Sequence, residues 1–222
     1  MLEDLRQALP YILEGVQYTV GLTVIGLAIG LVIGWIIAML RVYGGRFLQG
    51  FAAGYVVVLR GYPTLVILFF VYFMLARYIT LIDLPPFWAG CVALGVASSA
   101  YQAEIFRGAI QSVPPGQMQA ARALGLSQRQ AIFLIILPQA LRNAIPGWSN
   151  EAAVVVKDSS LVYAVGLPEL MRRSQQVSAR LYAPLLVFSL VGAIYFLLTF
   201  GANRLLGWLE RATRVPEMSD TR

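Results

Sequence analysis

Long apolar stretches separated by short charged turns make up most of this chain. Between Glu14 and Arg41 no charged residue occurs, and about 20 helical residues at ~1.5 Å each cross the ~30 Å hydrocarbon core of a membrane. We predict an all-α integral membrane protein with five transmembrane helices, forming one transmembrane domain over residues 1–222. The predicted spans are about residues 12–40, 51–77, 84–106, 134–160 and 181–207, with a cytoplasmic loop at about 107–133.

Small residues recur at helical spacing along the first predicted span. Gly26, Gly30 and Gly34 form a ridge that predicts close approach of another helix. Thr19 and Thr23 lie on the preceding turns, where their hydroxyls either pack against a helix or face a polar passage.

The second span is interrupted. Arg60, Gly61 and Pro63 occur together inside an apolar stretch, and proline removes a backbone donor while glycine loosens a helix. Such a break survives in lipid where protein or a cavity satisfies the freed backbone groups, and a simple kink is the alternative.

A polar, alanine-rich segment from Gly116 to Pro138 separates the third span from the fourth. Good helix formers run from Gln117 to Leu124, Gly125 is suited to end that helix in a left-handed conformation, and Ser127 is suited to cap the next helix. The pattern predicts two short helices joined at an angle, as expected of a docking element.

Composition narrows the class of protein. Hydrophobic residues make up 59% of the chain, charged residues make up 13%, and the mean hydropathy of +0.71 is typical of integral membrane proteins. One cysteine and no histidine exclude disulfides, zinc sites and histidine acid–base chemistry within one chain. The net charge of +6 does not indicate a nucleic-acid partner, because the arginines flank apolar spans.

Arginine placement predicts the orientation, because cytoplasmic loops carry an excess of basic residues. We predict an outside amino terminus and a cytoplasmic carboxyl terminus, because this orientation places most arginines on the cytoplasmic side. Arg172, Arg173 and Arg180 run against the rule. The predicted inner arginines are Arg41, Arg46, Arg107, Arg122, Arg129, Arg204, Arg211 and Arg214.

The fourth predicted span carries charges. Lys157 is the only lysine in the chain, and Asp158 follows it directly, with Glu151 nearly two helical turns before Asp158. Ionisable residues inside a membrane are costly and usually functional. We predict that the three line a substrate path with Thr19 and Thr23, where both charge signs suit an amino acid. The alternative is that Lys157 and Asp158 only neutralise each other or bind freed backbone groups.

The chain contains no phosphate-binding loop, since its sole lysine follows valines. We therefore expect no bound cofactor in this chain, so energy for any work would have to come from a partner. Two rival hypotheses remain at this point. One is a gradient-driven carrier or channel with Glu151, Lys157 and Asp158 as an ion or proton relay, and the other is a membrane scaffold without transport.

Several runs carry a resemblance to a known family. The loop reads GQMQAARALGLS and is followed by LPQALR, close to the family pattern GQxEAAxALGxS and LPQALR. The chain resembles a permease subunit of the polar amino-acid branch of the ATP-binding-cassette importers, the histidine, glutamine and arginine type. The matching runs are Arg60–Val66, Ala100–Gln117, Gly116–Ser127, Leu137–Arg142, Asn150–Val162 and Val165–Leu170.

The resemblance implies the type I importer permease fold, located in a bacterial inner membrane. It also implies a set of partners: a cytosolic ATPase dimer that binds ATP and magnesium, a second permease subunit, an extracytoplasmic solute-binding protein, a polar amino acid and membrane lipid. The loop would be the coupling element that contacts the ATPase. Two positions depart from the family pattern, Gln119 where glutamate is usual and Tyr62 where threonine is usual. The expected coupling residues are Gln119, Ala120, Ala121, Arg122 and Gly125.

Overall fold

The computed structural model describes residues 2–74 and 84–213, and this part of the chain consists of helices joined by short turns. Residues 75–77 of the second predicted span and Arg214 lie outside the described residues. A π-helical turn, Phe70–Met74, extends the helix Thr64–Phe69. A second π-helical turn, Ile132–Ile136, leads into the helix Leu137–Asp158, which a 3₁₀ helix, Ser159–Val165, follows. The α-helices are α1 Leu2–Tyr43, α2 Arg46–Gly61, α3 Thr64–Phe69, α4 Pro86–Gln111, α5 Pro115–Ala123, α6 Gln128–Ala131, α7 Leu137–Asp158, α8 Leu170–Leu181 and α9 Pro184–Thr213.

Three described helical stretches are long and apolar enough to cross a membrane, namely Glu3–Tyr43, Gln128–Val165 and Pro184–Ala212. The bent pair of α2 and α3 brings the number to four if it counts as one span. Helix α4 has 26 residues, but several polar side chains interrupt its apolar sequence. The count of five spans therefore stays a prediction, while the all-α membrane architecture is confirmed.

The glycine ridge of α1 packs directly on α4, as predicted. A β-carbon added to Gly34 would lie 2.8 Å from the carbonyl oxygen of Ser99, and one added to Gly26 would lie 3.1 Å from the β-carbon of Leu94. Only a residue without a side chain allows the two backbones to approach this closely. The pair fixes the position of α4, which carries polar side chains into the interior.

The break in the second span is also confirmed. Helix α2 ends at Gly61, Tyr62 and Pro63 are extended, and α3 begins at Thr64. The two helices meet at 102°. Pro63 cannot continue α2 and also disfavours helical geometry at the residue before it, which explains why the chain turns here.

The apolar core lies between the break and α4. Leu68 of α3, Leu94 of α4 and Val162 of the 3₁₀ helix are almost fully buried and pack together with Leu22 of α1. This core holds α3 against the 3₁₀ helix that follows α7. The polar groups described below lie beside it.

The two predicted short helices are present in the loop. Gly125 has a φ of +85°, the left-handed conformation that glycine adopts without strain, and it follows α5. Ser127 caps α6 through a capping box with Gln130. We call α5, α6 and the turn between them, residues 115–131, the elbow.

Candidate functional site: a buried polar column and an exposed elbow

Glu151 is the most deeply buried acid of the predicted substrate path. Its side chain on α7 is 6% exposed, and one carboxylate oxygen accepts a hydrogen bond of 2.6 Å from the Ser98 hydroxyl on α4. A buried charge is costly unless it is paired and hydrogen-bonded. One hydroxyl satisfies only part of the capacity of a carboxylate, which accepts about four hydrogen bonds.

Asp158 lies at the other end of the same helical face. Its Oδ2 accepts a hydrogen bond of 3.1 Å from the hydroxyl of Thr64, the first residue of α3. The break in the second span therefore places a hydroxyl beside this carboxylate. The break between α2 and α3 therefore contributes a residue to the site.

A buried glutamine continues the polar groups along α4. The Gln102 amide nitrogen donates to the Ser98 hydroxyl at 3.0 Å and to the Leu27 carbonyl at 3.3 Å, while its amide oxygen accepts from the Trp148 indole at 2.8 Å. The amide is 0% exposed. These side chains form a polar column contributed by α3, α4 and α7, which comprises Asp158, Thr64, Glu151, Ser98, Gln102 and Trp148.

Lys157 forms no hydrogen bond or ion pair with Glu151 or Asp158, although it lies within electrostatic reach of Asp158. Its exposed side chain lines a separate cavity of about 280 Å³ together with Ser160, Met171, Phe188 and Tyr195. The cavity lies against α8 and α9, whereas Glu151 and Asp158 bond to α4 and α3. Adjacent helical positions point about 100° apart, which accounts for the separation of Lys157 from Asp158.

Thr19 and Thr23 are buried in helix packing. The Thr19 hydroxyl donates to the Gly15 carbonyl at 3.3 Å and accepts from the Leu170 amide at 3.4 Å, and the Thr23 hydroxyl donates to the Thr19 carbonyl at 2.8 Å. The Thr19 hydroxyl therefore bonds to backbone groups of α1 and α8, and the Thr23 hydroxyl bonds to the backbone of α1. The packing alternative stated for them fits these contacts.

Glu169 is a buried acid that the sequence analysis did not place in the site. It is 0% exposed, and its carboxylate caps α8 by accepting from the amides of Met171 and Arg172 at 2.8 and 2.7 Å. The Tyr195 hydroxyl of α9 donates to it at 3.1 Å. Glu169 therefore joins α8 to α9 beside the cavity that Lys157 lines.

The elbow presents most of its predicted coupling residues to solvent. Gln119, Ala120, Arg122 and Gly125 are exposed, whereas Ala121 is 3% exposed and faces the protein. Arg122 also donates to the Leu126 carbonyl at 3.0 Å, which fastens the turn.

Contacts join the elbow region to α7. The Asn143 amide donates to the Ser112 hydroxyl at 2.9 Å, at the end of α4, and the Gln139 amide reaches Gln117 at 3.4 Å. Apolar packing of Met118 against α7 and its π-helical turn reinforces these bonds. These contacts connect the elbow region to the helix that carries Glu151 and Asp158.

Sequence reasoning missed Ser98, Thr64 and Gln102. Ser98 and Gln102 are four residues apart in an apolar stretch, and that spacing places them on one helical face. Thr64 follows the proline break. These signals mark polar positions in a span, but the partner of each side chain becomes visible only in the folded chain.

A bundle of apolar helices with an internal polar column and an exposed elbow defines a subunit of a membrane transport system. The chain belongs to the family of binding-protein-dependent transport system inner membrane components, which matches residues 30–215. The resemblance stated from the motifs is confirmed, and the protein is a permease component of the inner membrane. This membership gives no support to the gradient-driven carrier or channel hypothesis.

Relatives with known roles are similar over nearly the whole chain. The glutamine transport system permease protein GlnP of Escherichia coli strain K12 is 36% identical over 208 residues, covering 94% of this chain and 95% of the relative. The arginine transport system permease protein ArtQ of Bacillus subtilis strain 168 is 35% identical over 190 residues, or 86% of each chain.

Solved structures agree with the fold. A structure described as an amino acid ABC transporter with histidines superposes with a TM-score of 0.86 and 34% identity, covering 96% of this chain and 98% of that one. An inward-facing structure of the MetNI methionine ABC transporter has a TM-score of 0.76, and its 22% identity shows likeness of fold alone. The type I importer permease fold is therefore confirmed.

Proposed function

We propose that this chain is the pore subunit of an ATP-driven uptake system, which translocates a polar amino acid delivered by a solute-binding protein. The observation that carries the proposal is the pair of acids, Glu151 and Asp158, held on one face of α7 by hydroxyls from α4 and α3. Relatives named for glutamine and arginine transport support an amino acid as the substrate.

The path would use charges of both signs. The carboxylates of Glu151 and Asp158 each retain acceptor capacity for the ammonium group of an amino acid, through charge-assisted hydrogen bonds. Lys157 lines the adjoining cavity and would contact the substrate elsewhere along the path. Thr19 and Thr23 would support this path from within the α1–α8 packing.

The elbow would couple this path to a separate ATPase that binds ATP and magnesium. Its exposed positions Gln119, Ala120, Arg122 and Gly125 would contact the motor, while buried Ala121 would keep α5 seated on the bundle. When two ATPases close on ATP, the elbow would move, and α7 would move with it through the Gln117–Gln139 contact and the packing of Met118. Such rigid shifts between two packed arrangements provide alternating access.

The complete assembly would contain two permease subunits, a cytosolic ATPase dimer and an external solute-binding protein, in a bacterial inner membrane. The amino terminus would lie outside and the carboxyl terminus in the cytoplasm. The elbow arginines support this orientation, because basic residues concentrate in cytoplasmic loops.

Reconstitution tests the proposal. Proteoliposomes holding the permease and its ATPase, supplied with the binding protein outside and ATP inside, should accumulate a labelled amino acid in a vanadate-sensitive manner. Matched vesicles with the permease alone should accumulate none, even with a proton or sodium gradient. Accumulation by the permease alone would instead support the gradient-driven rival.

A further inference from the structure

Arg60 ends α2 immediately before the break, and its guanidinium lies 5.0 Å from the centre of the Tyr101 ring on α4. The side chain is exposed, and among the described residues it makes no ion pair with an acid. Other arginines form the described ion pairs: Glu104 pairs with Arg41 and Arg107, and Glu14 pairs with Arg173.

Two observations place Arg60 near the polar column. Thr64, which bonds to Asp158, follows Arg60 by four residues across the break. Tyr101, on which the guanidinium stacks, follows Ser98 by three residues on α4, and Ser98 bonds to Glu151. Glu151 lies within electrostatic reach of Arg60. Because residues three apart share a helical face, the guanidinium lies on the face of α4 that carries the Ser98–Glu151 hydrogen bond.

Stacking on an aromatic face fixes the plane of a guanidinium and leaves its N–H edge free to donate. That edge matches a carboxylate, which arginine binds through two parallel hydrogen bonds. A charge within a membrane-embedded helix pair usually has a partner, and none of the described acids bonds to this one. The guanidinium is therefore available to bind an acidic group of a ligand.

We propose that Arg60, held by Tyr101, binds the α-carboxylate of the transported amino acid, while Asp158 and Glu151 receive its ammonium group. This assignment rests on the proposed function. It also gives the substrate carboxylate a cation near Glu151, whereas Lys157 lies near Asp158 and lines the cavity against α8 and α9. Tyr101 acts as a positioning residue for the guanidinium.

The test compares Arg60→Gln and Arg60→Lys with Arg46→Gln, a control at the other, exposed end of α2. Labelled L-glutamine, L-histidine and L-arginine are first offered to wild-type proteoliposomes, and the amino acid that accumulates is used thereafter. Its binding to the detergent-solubilised permease–ATPase complex is then measured without binding protein, in competition with its own α-carboxamide, which lacks the carboxylate charge. Basal ATPase activity and the melting temperature report folding.

The wild type and Arg46→Gln should prefer the free amino acid over its carboxamide by at least about tenfold, in line with the loss of a charge-assisted hydrogen bond. Arg60→Gln should bind the amino acid at least about tenfold more weakly and lose this preference, and Arg60→Lys should keep part of both. A folded Arg60→Gln complex that retains the preference overturns the assignment alone. Failure of the wild type to accumulate any of the amino acids overturns the proposed function as well.

Discussion

Replacing Glu151 by glutamine separates a binding role from a structural one. Glutamine keeps the length of the side chain and an oxygen that accepts from Ser98, so the contact of 2.6 Å survives while the charge is lost. A hydrogen bond to a charged group contributes about 1.5–3 kcal/mol, and each 1.4 kcal/mol is a factor of ten. Substrate affinity in the assembled transporter should therefore fall by about 10- to 150-fold.

The same substitution should leave the fold intact. Because Glu151 is only 6% exposed, removing its charge relieves a desolvation cost, and the melting temperature should stay unchanged or rise. The assay is the concentration dependence of labelled amino-acid uptake in proteoliposomes, with basal ATPase activity as the control. Unchanged apparent affinity together with a lower melting temperature would refute the binding role and indicate a structural one.

Three further changes test other parts of the structure. Gly34→Leu should destabilise the protein by about 1–3 kcal/mol or prevent its assembly, because the new side chain meets the α4 backbone. Gly54 has open space around it, so the control Gly54→Leu should be tolerated; thermal unfolding measures both variants. Gly125→Trp places a bulky side chain on a residue in the left-handed conformation, which costs about 1–2 kcal/mol of conformational energy. This variant should abolish uptake while ATP hydrolysis continues. Normal uptake would count against coupling through the elbow. Glu169→Ala should cost about 1–3 kcal/mol in unfolding because it leaves donors of α8 and Tyr195 without their acceptor, and a smaller loss than in Tyr195→Phe would contradict this role.

Local features of the fold were predictable because they depend on short-range chemistry. Pro63 ends α2 whatever surrounds it, and Gly125 with the Ser127 cap produces the elbow from neighbouring residues alone. The glycine ridge of α1 was predictable because its spacing follows the helical repeat. Its partner α4 was not, since spacing does not say which helix approaches.

The polar column was predictable in part. The acids of the fourth span are visible in the sequence because charges are rare in apolar helices. Helical periodicity suggested a shared cavity for Glu151, Lys157 and Asp158. In the structure Lys157 lines a cavity with α8 and α9, whereas the two acids bond to hydroxyls of α4 and α3. Ser98 and Thr64 were missed because a hydroxyl in a membrane helix most often bonds to its own backbone, and only tertiary contacts aim these two at carboxylates.

Site-directed crosslinking at the elbow tests the central claim most directly. A cysteine at exposed Gln119 would be paired with cysteines on the ATPase, in membranes that actively accumulate amino acid. A cysteine at exposed Gln7, near the amino terminus, serves as the control. Native Cys91 is fully buried. Coupling through the elbow predicts that the Gln119→Cys variant crosslinks to the ATPase, that the crosslink stops uptake, and that the Gln7→Cys variant does not crosslink. Active uptake with no crosslink from position 119 or its exposed neighbours would contradict the account.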